Sequence, residues 1–197
     1  AIILGKTNTP EFAAGGNTFN DIFGATRNPR NLKLSAGGST GGGAAGLASG
    51  MFPLASGTDL GGSLRIPGAF CGVQGIRPTV GLVPAGPKKL PFQSLGVPGP
   101  MARSSHDLGV FLEVIAKPHH LDPLSPGFSF KFLEEKARGE LRLAYVKDPA
   151  GIGIDKEVAD KCLETFYTLS ELGHKLDIVE IDLSEGREAF EILRAQS

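Results

Sequence analysis

Ten of the 28 glycines in this chain fall between Gly37 and Gly62, inside the run GGSTGGGAAGLASGMFPLASGTDLGGSLR that ends at Arg65. Glycine loses more backbone entropy on folding than any other residue, so such a concentration needs a reason. A flexible linker would be polar and repetitive. This run instead carries Leu47, Met51, Phe52, Pro53, Leu54 and Leu60 between its glycines, so it can pack. The composition therefore favours a site built from backbone that must approach something closely.

The rest of the composition narrows the function classes. The chain has 197 residues, 41% hydrophobic and 21% charged, as in an ordinary soluble domain with a core. A net charge of −1 makes no electrostatic case for nucleic acid or an anionic membrane. No apolar run reaches the length of a spanning helix. Two cysteines, Cys71 and Cys162, point to reduced thiols and a cytoplasmic setting. The chain opens directly on Ala1-Ile2-Ile3-Leu4 and closes on an amphipathic stretch from Ser184 to Ser197. Both ends read as cuts in a longer protein.

Periodicity and turn chemistry place the elements. Ala1 to Leu4 reads as a short buried strand, and residues 8–36, rich in Asn, Thr, Gly and Pro, as irregular loop. Thr40 to about Ser49 reads as a helix of small residues, Met51 to Ala55 as a strand and Gly57 to Gly62 as a turn. Phe70 to Ile76 reads as a buried strand. The proline-rich stretch 84–100 reads as a surface excursion and a candidate wall of a substrate site. Ser104 with Asp107 makes a capping signal. Leu108, Phe111, Leu112 and Ile115 then follow at helical spacing until Pro118. Leu141 to Val146, Lys156 to Leu172 and Leu176 to Ile181 read as strand, helix and strand, with Val158, Cys162, Phe166 and Leu169 on one helix face. That order indicates a βαβ unit and an α/β protein.

Two short motifs fit poorly. Gly5-Lys6-Thr7 has the ending of a phosphate-binding loop but follows a strand-like run. Gly41-x-Gly43-x-x-Gly46 matches the dinucleotide fingerprint, yet no apolar strand precedes it.

Among candidate nucleophiles, Ser39 lies in Gly37-x-Ser39-x-Gly41, the pattern of a hydrolase elbow, which needs a preceding strand and a later His. His106, His119, His120 and His174 all read as ordinary polar positions, and none has a metal-binding spacing. Ser63 is the stronger candidate. It follows Leu60-Gly61-Gly62, where successive glycines free backbone N–H groups to converge on one spot and stabilise an oxyanion. Asp59 and Arg65 flank it and read as an ion pair holding the turn. Without a His base, a serine hydrolase uses a neutral Lys. Lys6 and Lys33 are the nearest upstream, and neither lies in an apolar run.

Taken together, Gly37 to Gly42, then Gly57-Thr58-Asp59-Leu60-Gly61-Gly62-Ser63-Leu64-Arg65-Ile66-Pro67 and Ala69-Phe70-Cys71-Gly72, resemble the amidase signature. The flanks Gly5-Lys6-Thr7-Asn8, Pro10-Glu11-Phe12 and Gly99-Pro100-Met101-Ala102-Arg103 agree, so the resemblance covers roughly residues 1–185. It implies an α/β fold with a mixed-sheet core flanked by helices, of which 1–197 would be part of a single domain. It also implies a Ser–cis-Ser–Lys triad and no cofactor or metal. By position Ser63 resembles the nucleophile and Ser39 the bridging serine after a cis Gly38–Ser39 bond. Leu60, Gly61 and Gly62 resemble the oxyanion donors, and Thr40, Asp59 and Arg65 the supports of the site.

The family's Lys aligns before residue 1, so these 197 residues alone are expected to be inactive or nearly so. The implied activity is hydrolysis of a small-molecule amide through an acyl-enzyme, with no nucleic acid bound directly and no membrane. Self-association stays open. One alternative is the A-type component of glutamyl-tRNA(Gln) amidotransferase, which usually carries Gln where this chain has Ile66. The other is a non-catalytic, degenerate homologue.

Overall fold

The computed structural model describes residues 2–125, 130–132 and 139–195. The chain divides into two compact units, residues 1–135 and 136–197.

The first unit begins with two small antiparallel hairpins. One joins β1 (Phe19–Asn20) to β2 (Gly24–Ala25), the other β3 (Arg27–Asn28) to β4 (Asn31–Ser35). The stretch expected to be irregular thus holds four short strands. Their signal is weak in the sequence because each is brief and none alternates cleanly between apolar and polar residues. Ile2, Ile3 and Leu4 form no strand and are exposed, so the expected opening strand is absent from them. Three apolar residues cannot pair without a neighbouring edge, and Ala1 lies outside the described residues.

The glycine-rich run forms α1 (Gly41–Ala48), β5 (Leu54–Asp59) and α2 (Arg65–Cys71). The strand starts later than the composition indicates, because Met51 still donates its N–H to Gly46 O at 3.0 Å, closing the turn after α1. It also runs through Gly57 to Asp59 before the chain turns. Phe70 and Cys71 belong to a helix rather than the expected strand. Pro67 falls in that helix's first turn, where a missing N–H costs nothing. Gly72 ends it in the left-handed conformation, φ 67°. Asn28 Nδ2 donates to Phe70 O at 2.7 Å and Arg30 Nε to Cys71 O at 3.1 Å. The last carbonyls of α2 are therefore satisfied by side chains from the β3–β4 hairpin.

The order of the central sheet is β5-β7-β6, all antiparallel, with β6 at Gln74–Gly75 and β7 at Val97–Ala102. The proline-rich excursion therefore ends at Gly96, and Pro98 and Pro100 lie in the middle strand. They are tolerated there because both nitrogens point away from β5. Ile76 donates to Pro100 O at 3.3 Å, so alternate residues 98, 100 and 102 direct their backbone polar groups to the β6 side. That side is paired only along Gln74 to Ile76 among the described residues.

Side chains alternate across β5, so the two faces of the sheet have different neighbours. Ala55 and Gly57 face α1 and Thr40, whereas Ser56 and Thr58 line a groove of about 510 Å³ with Phe111 and Ile115. Those last two residues belong to α3 (Ser105–Ile115), whose N-cap Ser104 accepts from Asp107 N at 3.1 Å, as its sequence predicts. The core on the α1 side consists of Ala36, Ala44, Leu47, Leu64, Cys71 and Met101, all fully buried. Half of these six are small (Ala36, Ala44 and Cys71), which lets the helices and sheet approach closely. Gly46 faces the ring of Phe52 with no room for a side chain.

The second unit is a parallel βαβ arrangement, as expected. Its elements are β8 (Arg142–Tyr145), α4 (Lys156–Glu171) and β9 (Lys175–Ile178), followed by α5 (Gly186–Ala195). Of the four residues assigned to one face of α4, only Phe166 is buried, against Tyr145 at 5.3 Å between ring centroids. No helix among the described residues is long and apolar enough to cross a membrane. The fold is mixed α/β, as the sequence indicates.

Candidate active site

Two loops meet at the N-terminal ends of α1 and α2. The first runs from Ala36 to Thr40 and is wholly buried. Its Gly38–Ser39 peptide is cis, the geometry that the resemblance implies. Ser39 is 3% exposed. Glycines let this loop lie against its neighbours. A Cβ on Gly37 would sit 3.0 Å from Pro67 Cα, and one on Gly38 would sit 2.8 Å from the Asn17 backbone.

The second loop runs from Leu60 to Leu64. Ser63 is half-buried and Gly61 is exposed, so solvent reaches this turn. The loops are joined directly, since Thr40 N–H donates to Ser63 O at 3.2 Å. Two serines separated by 24 residues thus stand on hydrogen-bonded loops.

Asp59 holds the second loop in shape. Its carboxylate is fully buried and accepts from Gly62 N–H at 2.8 Å and Leu64 N–H at 3.2 Å. Arg65 completes a two-pronged contact, Nε to Oδ2 at 3.0 Å and Nη2 to Oδ1 at 2.9 Å. Burial alone pushes the Asp59 carboxyl up. The Arg65 guanidinium and the two backbone N–H groups outweigh it and hold the carboxyl below its usual range. Asp59 and Arg65 are thus ion-paired, and the buried carboxylate clamps the loop that carries Ser63.

Sequence reasoning missed Arg77. It donates to Asp59 O and, at 2.7 Å, to Leu95 O. It thereby ties the 84–96 excursion to the loop that carries Ser63. Asn8 reads in the sequence only as part of a flank. Its backbone O accepts from Gly42 N–H at 3.2 Å, and its amide donates to Gly24 O and Thr26 Oγ1. These contacts link residues far apart in the chain, and no local periodicity announces them.

Other polar candidates lie elsewhere. His119 and His120 stack on each other on the surface, and His106, Lys6 and Lys33 are exposed. Cys71 packs in the core, where burial raises its thiol pKa. Among the described residues no group of three or more His, Cys, Asp or Glu side chains is placed to hold a metal ion.

Thr40 is buried at the junction, facing Gly57 of β5. A Cβ at Gly57 would sit 2.6 Å from Thr40 Cγ2. Gly57→Ala is therefore expected to displace Thr40 and the adjoining Ser39, at a cost of about 1–3 kcal/mol in stability. Chemical denaturation checks this, and an unchanged midpoint would refute it.

The fold and site together define an α/β protein whose first unit carries two serines on hydrogen-bonded, glycine-rich loops. The chain belongs to the amidase family, whose model matches residues 1–195. It is 40% identical over 179 residues to an acylamidase of Rhodococcus erythropolis, covering 89% of this chain and 37% of that protein. It is 39% identical over 188 residues to the A-type component of the glutamyl-tRNA(Gln) amidotransferase of Symbiobacterium thermophilum, covering 94% and 38%. Among solved structures, the corresponding amidotransferase component of Thermotoga maritima superposes with a TM-score of 0.87 at 31% identity, covering 99% of this chain and 44% of that one. A bacterial aryl acylamidase of the amidase signature family gives 0.84 at 29%, covering 98% and 44%. The chain thus spans about two-fifths of the length of these relatives.

Proposed function

We infer that this chain is the serine-bearing part of an enzyme that hydrolyses a carboxylic amide through an acyl-enzyme. The observation that carries the reading is the hydrogen bond from Thr40 N–H to Ser63 O, which seats the Ser39 loop on the Ser63 loop. In this reading Ser63 Oγ attacks the amide carbonyl carbon and gives its proton to Ser39 Oγ. Ser39 in turn gives a proton to a neutral Lys from a segment outside this chain. The C–N bond breaks, the amine leaves with the returned proton, and water then cleaves the Ser63 ester.

The Gly62 N–H already donates to Asp59. The oxyanion role therefore rests on the N–H groups of Leu60, Gly61 and Ser63 itself. No cofactor enters this scheme, and the substrate is a small-molecule amide. The two cysteines, both free thiols, support a reducing, cytoplasmic setting.

The test is labelling of the full-length protein with a fluorophosphonate, followed by peptide mapping. A single adduct on Ser63 is expected. An adduct on another serine, or none, would refute the assignment.

A second reading has specific support, since two of the relatives above are amidotransferase components of the A type. There the same serine would release ammonia from glutamine within a complex. Ile66, whose side chain lies beside Gly37 and Gly62, favours the plain amidase over that reading. Glutaminase activity together with co-purifying partner proteins would reverse the preference.

A further inference from the structure

The helix that follows Ser39 is capped from outside itself. Thr40 occupies the N-cap of α1, but its side chain makes no capping hydrogen bond. The first N–H of the helix, on Gly41, would be an orphan donor. It donates instead to Thr18 Oγ1 at 3.0 Å. The same hydroxyl gives its one proton to Gly37 O at 2.8 Å, with Ser39 O further off at 3.4 Å. Thr18 thus grips the chain on both sides of Ser39, two residues before it and two after.

The grip is close and well anchored. Thr18 is 2% exposed, and its own carbonyl accepts from Thr26 N–H at 2.9 Å. Gly41 leaves no room for a side chain beside the Thr18 hydroxyl, and Gly38 leaves none beside Asn17. Asn17 Oδ1 accepts from Ser35 Oγ at 2.6 Å, and Ser35 Oγ accepts from Gly37 N–H at 3.0 Å. Residues 17 and 18 therefore form a cradle around residues 35–41.

We propose that Thr18 is a positioning residue for catalysis, its hydroxyl setting where Ser39 Oγ stands relative to Ser63. The proposal rests on the serine reading above. Thr18 touches no reacting atom in that scheme. It acts by fixing the backbone that carries the bridging serine, and small displacements of such a group are costly in rate.

The experiment compares Thr18→Val and Thr18→Ser with the wild type in the full-length protein. It measures kcat and KM on a chromogenic anilide, fluorophosphonate labelling rate, and melting temperature. Valine keeps the branched shape and loses the hydroxyl. Serine keeps the hydroxyl and loses a buried methyl. Thr18→Val is expected to lower kcat and labelling rate about 100-fold with KM little changed. Thr18→Ser is expected to recover most of that loss although its melting temperature also falls. Equal losses in both variants that track their melting temperatures would mean packing alone and overturn the proposal. So would a valine variant with unchanged kcat. A wild-type protein that does not label at Ser63 would fail the serine reading itself, and with it the catalytic meaning of Thr18.

Discussion

Replacing Ser63 with alanine in the full-length protein is expected to reduce amide turnover by about 10⁴- to 10⁶-fold. The effect should fall on kcat, with substrate binding retained. If Ser63 is the nucleophile, as proposed, its loss removes the covalent route, while the backbone donors of the turn remain. Gly62 and Leu64 stay bound to Asp59, which does not depend on the serine side chain. The folded state should therefore survive, and the melting temperature should stay close to that of the wild type. Ser39→Ala should also abolish most turnover, because the proton of Ser63 loses its path. The double variant should be no worse than the worse single one, since residues acting as a unit are strongly non-additive. Steady-state kinetics on one anilide settles this. A Ser63→Ala protein with more than a tenth of wild-type kcat would exclude Ser63 as the nucleophile.

The second large effect concerns stability. Asp59→Ala is expected to destabilise the fold by about 3 kcal/mol or more, read from denaturant unfolding. Three groups would lose their acceptor together: Gly62 N–H, Leu64 N–H and the Arg65 guanidinium. Arg65 is more than half exposed and can turn to water, so the backbone donors dominate the loss. Asp59→Asn tests the charge. It keeps the shape but directs an NH₂ at donors, and whichever oxygen it replaces, one backbone N–H and one Arg65 N–H then face a donor.

The pH dependence follows from the same contacts. The folded carboxyl titrates below its ordinary value of 3.8. The unfolded state therefore takes up the proton first as pH falls. The stabilisation is complete above that value and is lost as pH drops through the folded pKa. Acid unfolding below about pH 4 should be less steep in Asp59→Asn than in wild type. Identical acid transitions would show that Asp59 contributes no linkage.

Much of the candidate site was legible without coordinates because the residues it is proposed to use lie in short contiguous runs. The glycines of 37–62, with Ser39, Asp59, Ser63 and Arg65, occupy two short loops. Glycine there answers a local demand, since Gly37 and Gly62 have positive φ angles of 75° and 116°. The α3 helix was legible for another local reason, as its cap and its apolar spacing fall within one helix length. The βαβ unit shows the same kind of signal, in which strand, helix and strand follow one another in order.

The misread elements share an opposite cause. Phe70 and Cys71 have strand-like side chains, yet they end a helix because Asn28 and Arg30 reach its last carbonyls from about 40 residues away. Pro98 and Pro100 look like loop residues, yet they occupy a middle strand whose far side is paired only in part.

The sequence by itself determined the family and the mixed α/β class and singled out Ser39 and Ser63 as candidates, because these are written in residue types at fixed local spacing. Only the tertiary structure decided what holds those serines in place. Thr18 reaches Gly37 across 19 residues, and Arg77 reaches both Asp59 and Leu95. A hydrogen bond between distant segments depends on how the chain returns to itself, and that return leaves no period or motif in the residues it joins.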